Sequence, residues 1–96
     1  MLFHITHVHT PETCTYGNPE KARDTFGKMM SSAEQIGVKL VGAWVDALAH
    51  TVYFVVEADS TQKIEELLAP VMKIGHAETR PVSGATAVLK RQFGEK

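Results

Sequence analysis

The chain has 96 residues, enough for one hydrophobic core and therefore one domain. Hydrophobic residues make up 44% of it and charged residues 22%, the balance of an ordinary soluble globular protein. A formal net charge of −1, with no basic cluster beyond Lys90 and Arg91, argues against nucleic acid or an anionic membrane surface as partner.

No run of eighteen apolar residues is present, so no membrane-spanning helix is expected. No basic segment followed by an apolar run marks a secretory leader. Cys14 stands alone, so no intrachain disulfide can form, and a reducing cytoplasm is the expected location.

Leu2 to His9 alternate with the period of a strand: Leu2, His4, Thr6 and Val8 on one face, Phe3, Ile5, His7 and His9 on the other. Thr10 and Pro11 break the pattern, and a loop runs to Asn18. The stretch "NPEKARDTFGKMMSSAEQIG" then predicts a helix. Asn18 can cap it, and Pro19 suits the first position, where a missing N–H costs nothing. Ala22, Phe26, Met29, Met30, Ala33 and Ile36 form its apolar stripe, and Gly37 is placed to end it in a left-handed conformation.

"VKLVGAWV" and "TVYFVVEA" predict two strands joined near Asp46 to His50 as an antiparallel hairpin. Strict alternation places Leu40 with Trp44 on one face of the first, and Val41, Ala43 and Val45 on the other. Asp59 or Ser60 caps a second helix with the stripe Ile64, Leu67, Leu68, Val71 and Met72. Pro70 predicts a kink or break within it, and Gly75 its end. A last strand begins near His76 and runs to about Val82. Residues 84–96 are expected to be either a further short strand or a C-terminal arm of the same single domain, residues 1–96.

The order βαββαβ predicts an α+β fold: a ferredoxin-like sandwich of a four-stranded antiparallel sheet with two helices on one face. The third strand is apolar on both faces, with Val52, Phe54 and Val56 on one and Tyr53 and Val55 on the other. Two helices cover one face only. The second face calls for a partner, and a homodimer packed sheet to sheet, or a higher assembly, is the economical one.

Here the sequence resembles the dimeric α+β barrel superfamily, whose members share this element order at about this length. Within it, the chain is most similar to small prokaryotic domains of unknown function that open with a strand like "FHITHVHTPETC" and continue with a helix like "TFGKMMSSAEQIGVK". The likeness extends to "AETRPV". It implies the fold and the sheet-to-sheet dimer. It implies no single activity, because the superfamily includes cofactor-free monooxygenases, isomerases, haem-degrading enzymes and stress-responsive proteins.

The topology gathers the histidines. It brings the end of the first strand, the hairpin and the start of the fourth strand to one edge of the sheet. His7 and His9, His50, and His76 occupy those three places, with Glu12 and Cys14 on the loop leaving the first strand. Residues two apart on a strand point the same way, about 6.5–7 Å apart at Cα, so His7 and His9 are the expected ligand pair. Cys14, Glu12, His50 and His76 are the candidates for completing a site suited to Zn²⁺, Ni²⁺, Cu²⁺ or Fe²⁺. His4 points to the opposite face and is excluded.

The leading expectation is therefore a small transition-metal-binding homodimer. A second is a cofactor-free small-molecule enzyme that uses a histidine as acid or base, with Trp44 and Tyr53 lining a barrel cavity. A third is a non-enzymatic module that senses a ligand or redox state through Cys14. The absence of a Gly-rich phosphate loop, a C-x-x-C pair and a nucleophile elbow sets aside nucleotide binding, thioredoxin-like chemistry and serine hydrolysis.

Overall fold

Strand β1 (Leu2–His9) carries the expected alternation into three dimensions. Phe3, Ile5, His7 and His9 are buried, and the residues between them are half-exposed. The computed structural model describes residues 1–94, so the last two residues of the predicted C-terminal segment lie outside the described residues. The long first helix is one rod in three segments: α1 (Pro19–Ala22), a π-helical stretch (Arg23–Gly27) and α2 (Lys28–Ile36). Asn18 caps it through a 3.1 Å hydrogen bond from the Lys21 backbone N–H. Gly37, at φ 89°, ends it in the left-handed region that favours glycine.

The hairpin consists of β2 (Lys39–Asp46) and β3 (Thr51–Glu57). Helix α3 (Thr61–Met72) follows, capped by Ser60, whose hydroxyl accepts from the Lys63 N–H. Pro70 does not break α3. It sits in the last turn, where it removes a single i to i−4 bond, and the helix continues to Met72. Gly75 belongs to the next strand, β4 (Gly75–Val82), rather than ending the helix.

The sheet order is β2-β3-β1-β4, with every neighbouring pair antiparallel. With the helices packed on one side, this is the ferredoxin-like α+β fold. The core lies between the helices and the sheet and contains Ile5, Phe54 and Val56 from the strands, Met29 from α2, and Leu67 and Val71 from α3. Each such side chain, fully withdrawn from water, stabilises the fold by about 1.5–3 kcal/mol before entropy is charged against it.

Strand β2 departs from simple alternation. A bulge at Val41 makes Leu40 pair with Val56 while Gly42 pairs with Val55. Leu40 therefore joins Ala43 and Val45 on the helix side, while Trp44, paired with Tyr53, faces the open side. The extra residue shifts every position before it by half a period. The Trp44 indole lies back over Gly42, in space that a Cβ there would occupy.

The open face carries Leu2, Thr6 and Val8 from β1, Tyr53 and Val55 from β3, Trp44 from β2, and His76, Glu78, Arg80 and Val82 from β4. Arg80 is engaged there with Glu78 at 3.1 Å.

The segment after β4 is not a further strand but a helical arm. It forms helix α4 (Ala85–Gln92), which packs against no other element among the described residues. Val88, Leu89 and Phe93 stand exposed along it. No helix of the described chain is long and apolar enough to cross a membrane.

Candidate metal centre

Three segments meet at the edge of the sheet where β1 ends. The His9 backbone N–H donates to the His50 carbonyl at 3.0 Å, fixing the hairpin against the end of β1. Asp46 accepts the Ala49 N–H on its side chain, and Thr51 donates its hydroxyl to the Ala49 carbonyl, which closes the hairpin turn. His50 has φ 50°, a conformation uncommon for a residue with a side chain. The turn holds its imidazole beside that of His9, with ring centroids 5.5 Å apart at 71°.

The loop after β1 makes two successive turns, in which the Thr13 N–H bonds to the Thr10 carbonyl and the Asn18 N–H to the Thr15 carbonyl. Cys14 lies between them. One donor atom each from His9, Cys14 and His50 lies within 4.8 Å of the other two. In a tetrahedral zinc site, nitrogen and sulfur ligands are separated by about 3.3–3.6 Å, so side-chain rotations of roughly 1 Å bring this group to ligand spacing. Two imidazoles and a thiol make a donor set for Zn²⁺, Ni²⁺, Cu²⁺ or Fe²⁺. The Nδ1 atoms of His9 and His50 are buried without a hydrogen-bond partner, so both rings keep a nitrogen free.

His7 is not part of this group. It is wholly buried, and its Nε2–H donates to the Val71 carbonyl at 2.8 Å, joining β1 to the end of α3. That bond sets the tautomer and commits the nitrogen. The expected His7–His9 ligand pair thus gives way to a His9–His50 pair. Neighbouring positions on the same strand face part company because α3 passes over one and the loop over the other.

Gly75 supports this placement. A Cβ there would collide with the Val8 carbonyl oxygen and come within 2.8 Å of the His7 ring. Burial lowers the pKa of His7, partly opposed by its bond to Val71, while the charge on His76 lowers it further. His9 is also lowered, first by burial and then by the charges of His7 and His50.

His76 pairs with Val8, so it belongs to the open face and lies on the wrong side of the sheet for the group. Glu12 is exposed on the loop and outside the group. Hydrogen bonds to its own backbone and to Thr10 hold its carboxyl below the usual range, and the charge of His50 adds to this. Trp44 and Tyr53 face each other across β2 and β3 on the open side, away from the cleft that adjoins the histidines.

Sequence reasoning missed Phe26 as part of this region, because its place in a helical stripe reads as ordinary core. The π-helical stretch carries it to the site, edge-on to His7 at 5.3 Å and 6.2 Å from His9.

The fold recurs in solved structures. SCO4226 from Streptomyces coelicolor A3(2) superposes with a TM-score of 0.59 at 16% identity, over 88% of this chain and 100% of that one. Atu4242 from Agrobacterium tumefaciens superposes with a TM-score of 0.54 at 14% identity, over 88% of this chain and 94% of that one. At these identities the likeness is one of fold alone. A search of curated proteins finds no match. The sequence itself matches a family model over residues 1–91, and the chain belongs to that family, a domain of unknown function (DUF3303).

Proposed function

We propose that the protein binds one transition-metal ion per chain through His9, Cys14 and His50. The observation that carries this reading is the convergence of three donor atoms, from the end of β1, the following loop and the β2–β3 turn, within 4.8 Å of one another. The lowered pKa of His9 keeps that imidazole neutral, as a ligand must be. Three protein ligands leave a fourth position of a tetrahedral site for water or a substrate, the arrangement that catalytic zinc sites use. A site that depends on a free thiol also fits a reducing compartment such as the cytoplasm.

Elemental analysis of freshly purified protein tests this. Close to one ion per chain is expected, lost in Cys14→Ala and His50→Ala. Absence of metal, with no uptake when Zn²⁺, Ni²⁺ or Cu²⁺ is added, refutes it.

The open sheet face supports a homodimer as the working form. Tyr53, Val55, Trp44 and Val8 are apolar, and among the described residues no helix covers them and α4 packs on no other element. Sedimentation of a single species at monomer mass throughout the micromolar range refutes the dimer.

A further inference from the structure

We infer that the cleft beside His9, Cys14 and His50 binds a small molecule with an apolar body and one neutral donor head, held with its head at the histidine–cysteine end. This rests on the metal reading for the role of the head, while the cleft stands on its own geometry.

The cleft measures about 1080 Å³ and is open along one side. Its volume suits a drug-sized ligand. Val52 and Phe54 form a buried floor. One wall is the loop and first helix, through Cys14, Pro19 and Phe26. The other is β2 and its turn, through Val45 and Leu48.

Val45 lies on the helix-bearing side of the sheet, yet it is 70% exposed, so the helices leave this end of β2 bare. The fold therefore builds two walls and a floor and leaves the space between them unfilled.

Chemistry narrows the occupant. Among the residues lining the cleft the sole charged side chain is Asp46, and no lysine or arginine is present. Nothing there would neutralise a phosphate or a polycarboxylate, so an anionic ligand would lose its hydration without compensation. Polar donors instead collect at the deep end, where the Nδ1 atoms of His9 and His50 are buried and unpartnered. An apolar wall with convergent polar atoms at one end is the usual form of a small-molecule site. A flat protein partner would not fill a cleft with a buried floor.

Titration of the Co²⁺-loaded full-length protein with 1-alkylimidazoles from methyl to hexyl tests this. The head is neutral and monodentate, and the visible spectrum of Co²⁺ reports its coordination. Affinity is expected to rise about threefold to fourfold per methylene as the chain enters the cleft. Val45→Glu should flatten that dependence and leave Co²⁺ stoichiometry and 1-methylimidazole binding unchanged. Val45 is exposed, so the variant should fold.

Equal affinity for the methyl and hexyl compounds with Co²⁺ bound overturns the inference and leaves the metal site standing. If the chain takes up no Co²⁺, the metal reading falls, and the cleft is tested with N-phenyl-1-naphthylamine. Fluorescence enhancement that Val45→Glu removes supports a site for apolar molecules. No enhancement, or enhancement equal in both proteins, overturns it.

Discussion

Replacing His7 and His9 one at a time separates a structural histidine from a ligand. His7→Ala removes the bond to the Val71 carbonyl, which still accepts the Ile74 N–H at 3.3 Å, so the cost is that of one hydrogen bond, about 1 kcal/mol. It also removes a ring packed edge-on against Phe26, at the low end of the roughly 2–5 kcal/mol range for emptying a core position. Part of this is returned, because the unpartnered Nδ1 of His7 disappears as well. A net loss of about 2 kcal/mol lowers Tm by about 8–16 °C for a domain of this size.

His9→Ala removes a ring at the histidine–cysteine end of the cleft that makes no side-chain hydrogen bond, and should cost about 1 kcal/mol. Zn²⁺ at a hundredfold excess over its Kd stabilises a competent chain by about 2.7 kcal/mol. Thermal melts followed by circular dichroism, with chelator and with Zn²⁺, therefore give four numbers. The metal-free melt should drop steeply for His7→Ala and slightly for His9→Ala. The rise on adding Zn²⁺ should persist in His7→Ala and vanish in His9→Ala. His7→Gln, whose amide can still donate to Val71, should recover part of the lost stability. A Zn²⁺-dependent rise that disappears with His7 and survives without His9 refutes the assignment.

Acid should weaken the metal-free protein. His7 and His9 have folded-state pKa values below the ordinary 6.5, so the unfolded chain takes up protons first as pH falls. Their contribution is complete above about pH 6.5 and is lost as pH drops from there through the lower folded values, so urea midpoints should fall between about pH 7.5 and 5.5. A flat profile contradicts this. Gly75→Ala should be strongly destabilising, because the added methyl meets the Val8 backbone, which cannot move aside, and then the His7 ring. An unchanged denaturation midpoint would show that the strands have room there. Tyr53→Asp should shift the protein to monomer in sedimentation velocity while metal stoichiometry stays the same, because Tyr53 lies on the opposite side of the sheet from His9. Loss of metal together with the dimer would place the two functions on one surface.

The fold was largely legible because its signals are local and periodic. Asn18, Pro19 and Gly37 mark both ends of the first helix, and alternation in Leu2–His9 separates His4 from His7 and His9. What could not be read was set by contacts distant in sequence. Val71 lies 64 positions from His7, and nothing near either residue announces their hydrogen bond. His50 was placed correctly at the hairpin, but its meeting with Cys14 depends on a loop with no periodicity. His76 was one strand position from the right edge and on the wrong face, which only the register with Val8 decides. The bulge at Val41 leaves no mark in composition, and it puts Leu40 on the face of Ala43 and Val45 where strict alternation groups it with Trp44. The first helix hides its π-helical stretch in the same way, since Phe26 keeps an apolar spacing on either winding.

Helix α4 has a kinetic consequence. An eight-residue helix that packs on no other element among the described residues falls short of the length at which a helix holds itself together in water. Its backbone amides should therefore exchange with solvent deuterium almost as fast as those of an unstructured peptide whenever the chain is alone. Shelter for Val88 and Leu89 would slow that exchange. The rate at these few amides thus becomes a clock for association: protection that grows with protein concentration would show when, and at which end of the molecule, a second chain arrives.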